Sequence, residues 1–113
     1  MKYFKENEFM MGNVKVFSFM DKNLLPVLDK LRDLCGEPLV ITSSFRDAEY
    51  NKSVGGAKSS FHLTGKAVDL ACNNGTLRAK IVSNALKLGL SVGVAKGFVH
   101  VDNRGKQIVF SYG

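Results

Sequence analysis

Two segments of the chain carry apolar residues at helical spacing. The first covers residues 22–35, and its predicted buried face consists of Leu24, Leu28, Leu31 and Cys35. Asp21 is placed to cap its start, and Gly36 is placed to end it. Pro26 falls inside this segment and lacks a backbone donor, so either the first turn is distorted or the helix starts nearer Leu25.

The second helical pattern follows a turn at Asn73-Asn74-Gly75. Thr76 is predicted to cap this helix and Gly89 to end it. The residues predicted for its buried face are Leu77, Ile81, Ala85 and Leu88. A shorter helical turn is predicted through Asp47–Lys52.

Short apolar runs between and after these helices predict strands. They are Leu39–Thr42, Ala67–Cys72, Leu90–Val94, Phe98–Asp102 and Gln107–Tyr112. A turn at Asn103-Arg104-Gly105 joins the last two, and residues 1–20 are predicted to form an irregular wrap held by aromatic side chains. The elements together predict an α+β fold, in which two main helices pack on a small, mostly antiparallel sheet.

The bulk properties indicate one basic globular domain. The 113 residues are enough for a single domain over residues 1–113, and 45% hydrophobic content supports a packed core. A net charge of +6 favours an anionic partner such as a wall polymer, a nucleic acid or a lipid surface. The lysines and arginines are scattered and accompany no recognised nucleic-acid motif, so specific nucleic-acid binding is not expected.

The sequence carries no sign of a membrane span or a secretory leader. No apolar run approaches the roughly 20 residues needed to cross a bilayer. The first residues, Met1-Lys2-Tyr3-Phe4-Lys5-Glu6, run straight into charges without the apolar stretch of a leader, so we expect synthesis in the cytoplasm. Cys35 and Cys72 lie far apart in sequence, and we expect both to be small buried apolar residues. Their spacing does not decide whether they form a disulfide. We expect a monomer.

Both histidines of the chain lie close in sequence to carboxylates. Asp69 interrupts an apolar strand, where a charge is costly unless it is paired or bound to a metal. If the strands of Asp69 and His100 are neighbours, these side chains converge, and His62 would join them from the Ser59–Gly65 loop. Each residue alone also has a structural explanation in the core. Together, two imidazoles and one carboxylate suit zinc with an open position for water, which indicates metal-assisted hydrolysis.

The same residues carry a resemblance to a known family. The string Ser60-x-His62-x-x-Gly65-x-Ala67-x-Asp69, with the later His100-x-Asp102, resembles the zinc D-Ala-D-Ala carboxypeptidases and endopeptidases. This family has the Hedgehog/DD-peptidase fold and includes phage endolysins and D-Ala-D-Ala dipeptidases. The segment Ile41–Asn51 is similar to its arginine-bearing stretch, and Phe4 with Glu8-Phe9 resembles its N-terminal entry, so the likeness covers nearly the whole chain.

The resemblance implies a role for each of these residues. Zinc would be held by His62, Asp69 and His100. Arg46 would hold a substrate carboxylate or the oxyanion formed during attack, unless it forms a structural salt bridge with Asp47 or Glu49. Ser60 would orient its neighbour or a substrate group. Asn51 would tie down the segment that carries Arg46.

The chain departs from the family at one position. Many members carry a catalytic Asp or Glu three residues before the last histidine, and this position is Gly97 here. Asp102 shares a strand face with His100 and is the best substitute as a proton shuttle. It is equally suited to accept the N–H of a ligating histidine, and the sequence leaves both roles open.

The resulting expectation is a zinc peptidase that acts on bacterial cell-wall peptidoglycan. D-Ala-D-Ala carboxypeptidase, cross-link endopeptidase and endolysin activity all remain open. The short loops suggest an open groove suited to a polymer, and the absence of a leader fits phage or prophage lysis at the cell wall or periplasm. The alternative is a module on the same fold that binds wall peptide, or serves a phage structure, without turnover.

Overall fold

The computed structural model describes residues 1–112, and within them lie three α-helices and seven strands. Its three α-helices are α1 (Leu24–Cys35), α2 (Ala48–Ser53) and α3 (Gly75–Lys87). Its seven strands are β1 (Met10–Met11), β2 (Val14–Lys15), β3 (Ile41–Ser43), β4 (Ala67–Ala71), β5 (Ser91–Val94), β6 (Phe98–Asp102) and β7 (Val109–Ser111). Short 3-10 helices lie at Glu6–Glu8, Phe17–Phe19 and Phe61–Thr64. The predicted α+β class is confirmed.

Helix α1 tolerates its proline because of where the helix begins. Leu24 is its first residue, so Pro26 lies in the first turn, where backbone N–H groups have no partner inside the helix. The Asp21 carboxylate accepts the N–H groups of Asn23 and Leu24 at 2.8 and 3.2 Å. Gly36 ends the helix with a φ of +70°, and the four apolar residues of the predicted buried face are all buried.

Helix α3 is capped two residues earlier than predicted. The Asn74 side chain accepts the N–H of Leu77 at 2.8 Å, so the prediction that Thr76 caps this helix is wrong. An asparagine accepts this bond as readily as a threonine, and Gly75 then becomes the first helical residue. Of the predicted buried face, Ile81 and Ala85 are fully buried.

Five strands form one sheet in the order β3-β4-β6-β5-β7, and β1 and β2 form a separate small hairpin. All neighbours in the larger sheet are antiparallel except β5 and β7, which run parallel. Strand β7 does not pair with β6, although one turn joins them. Both edges of β6 are occupied, by β4 and β5, so β7 pairs with the free edge of β5.

The two faces of this sheet differ in chemistry. One face packs with α1 and α3 into the hydrophobic core, and its central strands contribute Val68, Leu70, Val92, Val99 and Val101. On the opposite face, β4 and β6 turn Asp69, His100 and Asp102 away from this core. The alternation of side chains along each strand therefore separates the core from the polar cluster.

The N-terminal residues are held partly as predicted. Phe4 and Phe9 are buried, but Phe19 is 58% exposed and stacks on Phe45 at a centroid distance of 5.0 Å. The two cysteines are free and buried, so no disulfide links them. No helix in residues 1–112 combines the length and apolar character needed to cross a bilayer.

Candidate metal centre

One row of residues crosses the larger sheet from edge to edge. The strand registers pair Ser43 with Asp69, Asp69 with His100, His100 with Gly93, and Gly93 with Phe110. Directly paired residues in a sheet present their side chains on the same face. The pairing of β4 with β6 therefore places the Asp69 carboxylate beside the His100 imidazole.

His62 reaches this row from the 3-10 helix at Phe61–Thr64. The Ser60 hydroxyl oxygen accepts the N–H of His62 at 3.2 Å and caps this short helix. Gly65 ends it with a φ of +70°, a conformation that side chains rarely adopt, and a Cβ there would also overlap the Phe19 carbonyl. These two residues fix the direction from which the imidazole enters.

The three side chains converge on one point. His62 Nε2 lies 3.2 Å from Asp69 Oδ1, and His100 Nδ1 lies 3.1 Å from the same oxygen. The three residues are buried, and their candidate ligand atoms all lie within 4.8 Å of one another. Two imidazole nitrogens and a carboxylate oxygen are a donor set that zinc accepts, so the cluster could hold a metal ion.

The outer nitrogen of each imidazole has a dedicated acceptor. His62 Nδ1 donates to the Ser44 carbonyl at 2.7 Å, and His100 Nε2 donates to Asp102 Oδ2 at 2.7 Å. These bonds hold one proton on the outer nitrogen of each ring. When the inner nitrogens, His62 Nε2 and His100 Nδ1, carry no further proton, their lone pairs are available to a metal ion. Sequence reasoning missed the Ser44 carbonyl, because a backbone acceptor leaves no signal in residue type.

The hydrogen bonds of the cluster shift the pKa values of Asp69 and His100. Burial alone would raise the pKa of Asp69, but hydrogen bonds from His100 and His62 lower it to about 2. Burial would lower the pKa of His100, and its bonds to Asp102 and Asp69 outweigh this and raise it. Protons and a metal ion compete for the inner nitrogens, so metal affinity should fall in acid.

Asp102 lies beneath His100 and is fully buried. Its Oδ2 accepts His100 Nε2 and Arg104 Nη2, and its Oδ1 accepts the Nε and backbone N–H of Arg104. Burial raises the pKa of Asp102, but the bonds from Arg104 and His100 lower it to about 2. Asp102 is not among the residues that line the cavity, and its four contacts go to His100 and Arg104, which favours the supporting role over the proton shuttle.

Arg46 is tied to the cluster and not to its sequence neighbours. Its Nη2 lies 3.4 Å from Asp69 Oδ2, its Nε donates to Ser43 Oγ at 3.0 Å, and its Nη1 donates to Asn51 Oδ1 at 3.2 Å. The alternative pairing with Asp47 is wrong, because the Asp47 carboxylate caps α2 by accepting the Tyr50 N–H. The pairing with Glu49 does not occur either. Arg46 therefore presents its guanidinium next to the candidate metal ligands.

A cavity of about 590 Å³ opens over the cluster. The guanidinium groups of Arg46 and Arg104 line it, and Asp69 is the one carboxylate among its lining residues within 1–112. Its other side is an aromatic wall formed by Phe98, Phe110 and Tyr112. Burial and the nearby Asp69 charge raise the pKa of Tyr112 to about 12, so its phenol keeps its proton at neutral pH.

Gly93 allows this aromatic wall to reach His100. A Cβ at Gly93 would lie 2.5 and 2.6 Å from ring atoms of Phe110 and 2.9 Å from the ring of Tyr112. Without it, the rings of Phe110 and Tyr112 fold over β5 to centroid distances of 5.4 and 6.4 Å from His100. Sequence reasoning missed this role, because it depends on the parallel pairing of β7 with β5.

Comparison with known proteins agrees with the geometry. No curated protein matches the chain. The family model described as peptidase M15 matches residues 2–102, which include the three candidate ligands, Arg46 and Asp102. A match over this length shows the family, and the chain belongs to the peptidase M15 family.

Proposed function

We propose that the protein is a zinc-dependent peptidase that hydrolyses peptide bonds in bacterial cell-wall peptidoglycan. The observation that carries this proposal is the convergence of His62, Asp69 and His100 at the floor of an open cavity. Family membership supports peptide hydrolysis, and the donor set supports zinc. The proposal includes action at the cell wall or periplasm and a role in phage or prophage lysis.

The chain's own residues supply the binding and orientation. His62, Asp69 and His100 would hold zinc, which when bound polarises a carbonyl and lowers the pKa of water. The side chain of Arg46 is 14% exposed and lines the cavity, where its guanidinium would bind a substrate carboxylate or the oxygen that becomes negative during attack. Ser60 lines the cavity with its hydroxyl hydrogen free to donate, so it would contact a substrate carbonyl.

The shape and charge of the site suit a polymer of short peptides. The cavity is open to solvent and large enough for several residues, and the chain's charge of +6 would attract an anionic wall. A carboxypeptidase, a cross-link endopeptidase and an endolysin would all use this arrangement. The mass of the product distinguishes them, because each enzyme breaks a different bond.

The proposal is tested with purified cross-linked muropeptides and mass spectrometry. The protein is incubated with added zinc, with a chelator, and with zinc after the chelator. We expect a product that disappears with chelator and returns with zinc. His62→Ala and Asp69→Asn should abolish it, and Glu37→Gln, which removes an exposed carboxylate of the Lys80 pair, should not. Full activity in His62→Ala would reject the zinc assignment.

One observation favours a second function, in which the same site binds wall peptide without turnover. Asp69 is the one carboxylate lining the cavity within the described residues, and Gly97 stands where many relatives have a carboxylate. A Cβ at Gly97 meets nothing within 4 Å, so a side chain can begin at this position without overlap. This function predicts that the parent binds zinc and muropeptide but gives no product, and that Gly97→Glu gains turnover.

A further inference from the structure

Arg104 binds both oxygens of Asp102 with two donors on one edge of its guanidinium. Nε donates to Asp102 Oδ1 at 2.8 Å, and Nη2 donates to Oδ2 at 2.6 Å. The Arg104 backbone N–H adds a third bond to Oδ1 at 3.1 Å. Two parallel bonds from a planar fork fix the plane of a carboxylate, which a single donor cannot do.

The plane of Asp102 in turn determines the orientation of His100. Asp102 Oδ2 is shared between Arg104 Nη2 and His100 Nε2, so rotation of the carboxylate would break both bonds. With a proton held on Nε2, His100 Nδ1 points toward Asp69 and His62, and in the neutral ring its lone pair is available to a metal ion at that point. The position of His100, a candidate metal ligand, therefore depends on Arg104, whose side-chain hydrogen bonds go to Asp102 and not to His100 itself.

Arg104 is itself held between two aromatic rings. Its guanidinium carbon lies 4.6 Å from the centroid of Phe61 and 5.4 Å from that of Phe110. Phe61 immediately precedes His62, and the ring of Phe110 packs 5.4 Å from that of His100. With a side chain only 14% exposed, Arg104 lies in contact with the segments that place both histidines.

We propose that Arg104 is a positioning residue of the metal centre, which fixes Asp102 and, through it, the ligating tautomer and orientation of His100. Lysine cannot replace it fully, because an ammonium offers no planar fork and stacks less well on aromatic rings. A purely structural salt bridge that closes the turn after β6 would make a different prediction: its loss would lower stability and leave metal affinity unchanged.

The variants are Arg104→Gln and Arg104→Lys, and the control is Arg32→Gln. Arg32 also stacks on an aromatic ring, at 4.6 Å from the centroid of Tyr3, but it lies on α1, away from the cavity. Zinc affinity of the folded protein is measured by competition with a chromophoric chelator. We expect Arg104→Gln to weaken it about 10- to 100-fold, Arg104→Lys to fall between, and Arg32→Gln to stay within about twofold.

A double variant tests whether Arg104 acts through Asp102. If it does, Arg104→Gln combined with Asp102→Asn binds zinc no more weakly than Asp102→Asn alone. Nitrogen NMR of the imidazoles gives a second readout in alkaline solution, where His100 is neutral. The metal-free parent should hold the His100 proton on Nε2, and Arg104→Gln should lose that preference. If Arg104→Gln fails to fold, the zinc affinity and the imidazole NMR spectra of Arg104→Lys test the proposal instead. Unchanged zinc affinity in a folded Arg104 variant, or additive losses in the double variant, overturns the proposal.

This inference rests on the metal centre of the proposed function and not on its substrate. Zinc affinity and imidazole spectra need no muropeptide. A protein that cleaves no wall peptide but loses zinc affinity in Arg104→Gln would reject the proposed activity and support the role of Arg104. If the parent protein cleaves wall peptide but Arg104→Gln leaves zinc affinity unchanged, the proposed activity is supported and the role of Arg104 is rejected.

Discussion

The metal-free protein should have a stability that depends on pH through Asp102, and the size of the effect follows from the structure. The pKa of Asp102 is lowered from 3.8 to about 2 in the folded protein. The unfolded chain therefore binds more protons than the folded one between these values, and the stabilisation is lost as pH falls. A shift of this size corresponds to about 2 kcal/mol of unfolding free energy, present above about pH 5 and gone near pH 2.

His100 contributes with the opposite sign in a different window. Its pKa is raised above 6.5 by Asp102 and Asp69, so its stabilisation is complete in acid and is lost as pH rises through the folded value. Asp102→Asn removes the first effect and the part of the second that comes from Asp102, because the amide carries no charge for either Arg104 or His100, whereas Asp69 still raises the pKa of His100. The difference in stability between parent and variant should be largest between about pH 5 and pH 6.5.

The assay is urea unfolding of the metal-free proteins in chelator, from about pH 2 to pH 9. At about pH 6 we expect Asp102→Asn to be less stable by about 2–4 kcal/mol, because one partner of a buried ion pair is lost. This deficit should shrink by about 2 kcal/mol on acidification to pH 2. The matched control, Glu37→Gln, removes a surface carboxylate and should show a small deficit of less than about 1 kcal/mol. A deficit in Asp102→Asn that stays constant over the whole range would refute the reasoning.

Three further predictions concern the aromatic wall of the cavity, the hydrophobic core and the substrate. Gly93→Ala should destabilise the protein by about 1–3 kcal/mol, because its methyl group displaces the rings of Phe110 and Tyr112; urea unfolding checks this, and an unchanged midpoint contradicts it. Leu28→Ala should cost about 2–5 kcal/mol by the same assay, since Leu28 is fully buried, and it should leave zinc affinity unaltered. Arg46→Lys should lower kcat/KM on muropeptides by about 10²- to 10³-fold at normal zinc content, and parental kinetics would remove Arg46 from the proposal.

Local signals predicted the helices and central strands well. The apolar period of residues 22–35 specified a helix, and the structure shows the expected buried face. The prediction of Thr76 as the cap of α3 failed because Asn74 and Thr76 both have capping chemistry, and only the path of the preceding turn chooses between them. Errors of this kind move a boundary by one or two residues without changing the fold.

The candidate site was predictable where residue type alone is informative. A carboxylate inside the apolar strand around Asp69, and the two histidines of the chain, marked the ligand set before any pairing was known. The role of Asp102 could not be decided in that way. Whether Asp102 moves a proton or orients His100 depends on the burial of its carboxylate and on its contact with Arg104. The sequence indicates only that Arg104 lies in a turn.

The sequence by itself determined the elements, the polar interruption of two apolar strands and the ligand types, because each follows from residues within a few positions of one another. Tertiary structure alone decided that β7 pairs with β5, that Gly93 leaves room for two aromatic rings, and that Arg104 holds Asp102. These arrangements join residues from separate strands. Strand order and burial depend on the whole sheet. Both edges of β6 are occupied by other strands, so β7, the next strand in the chain, must pair with a different strand.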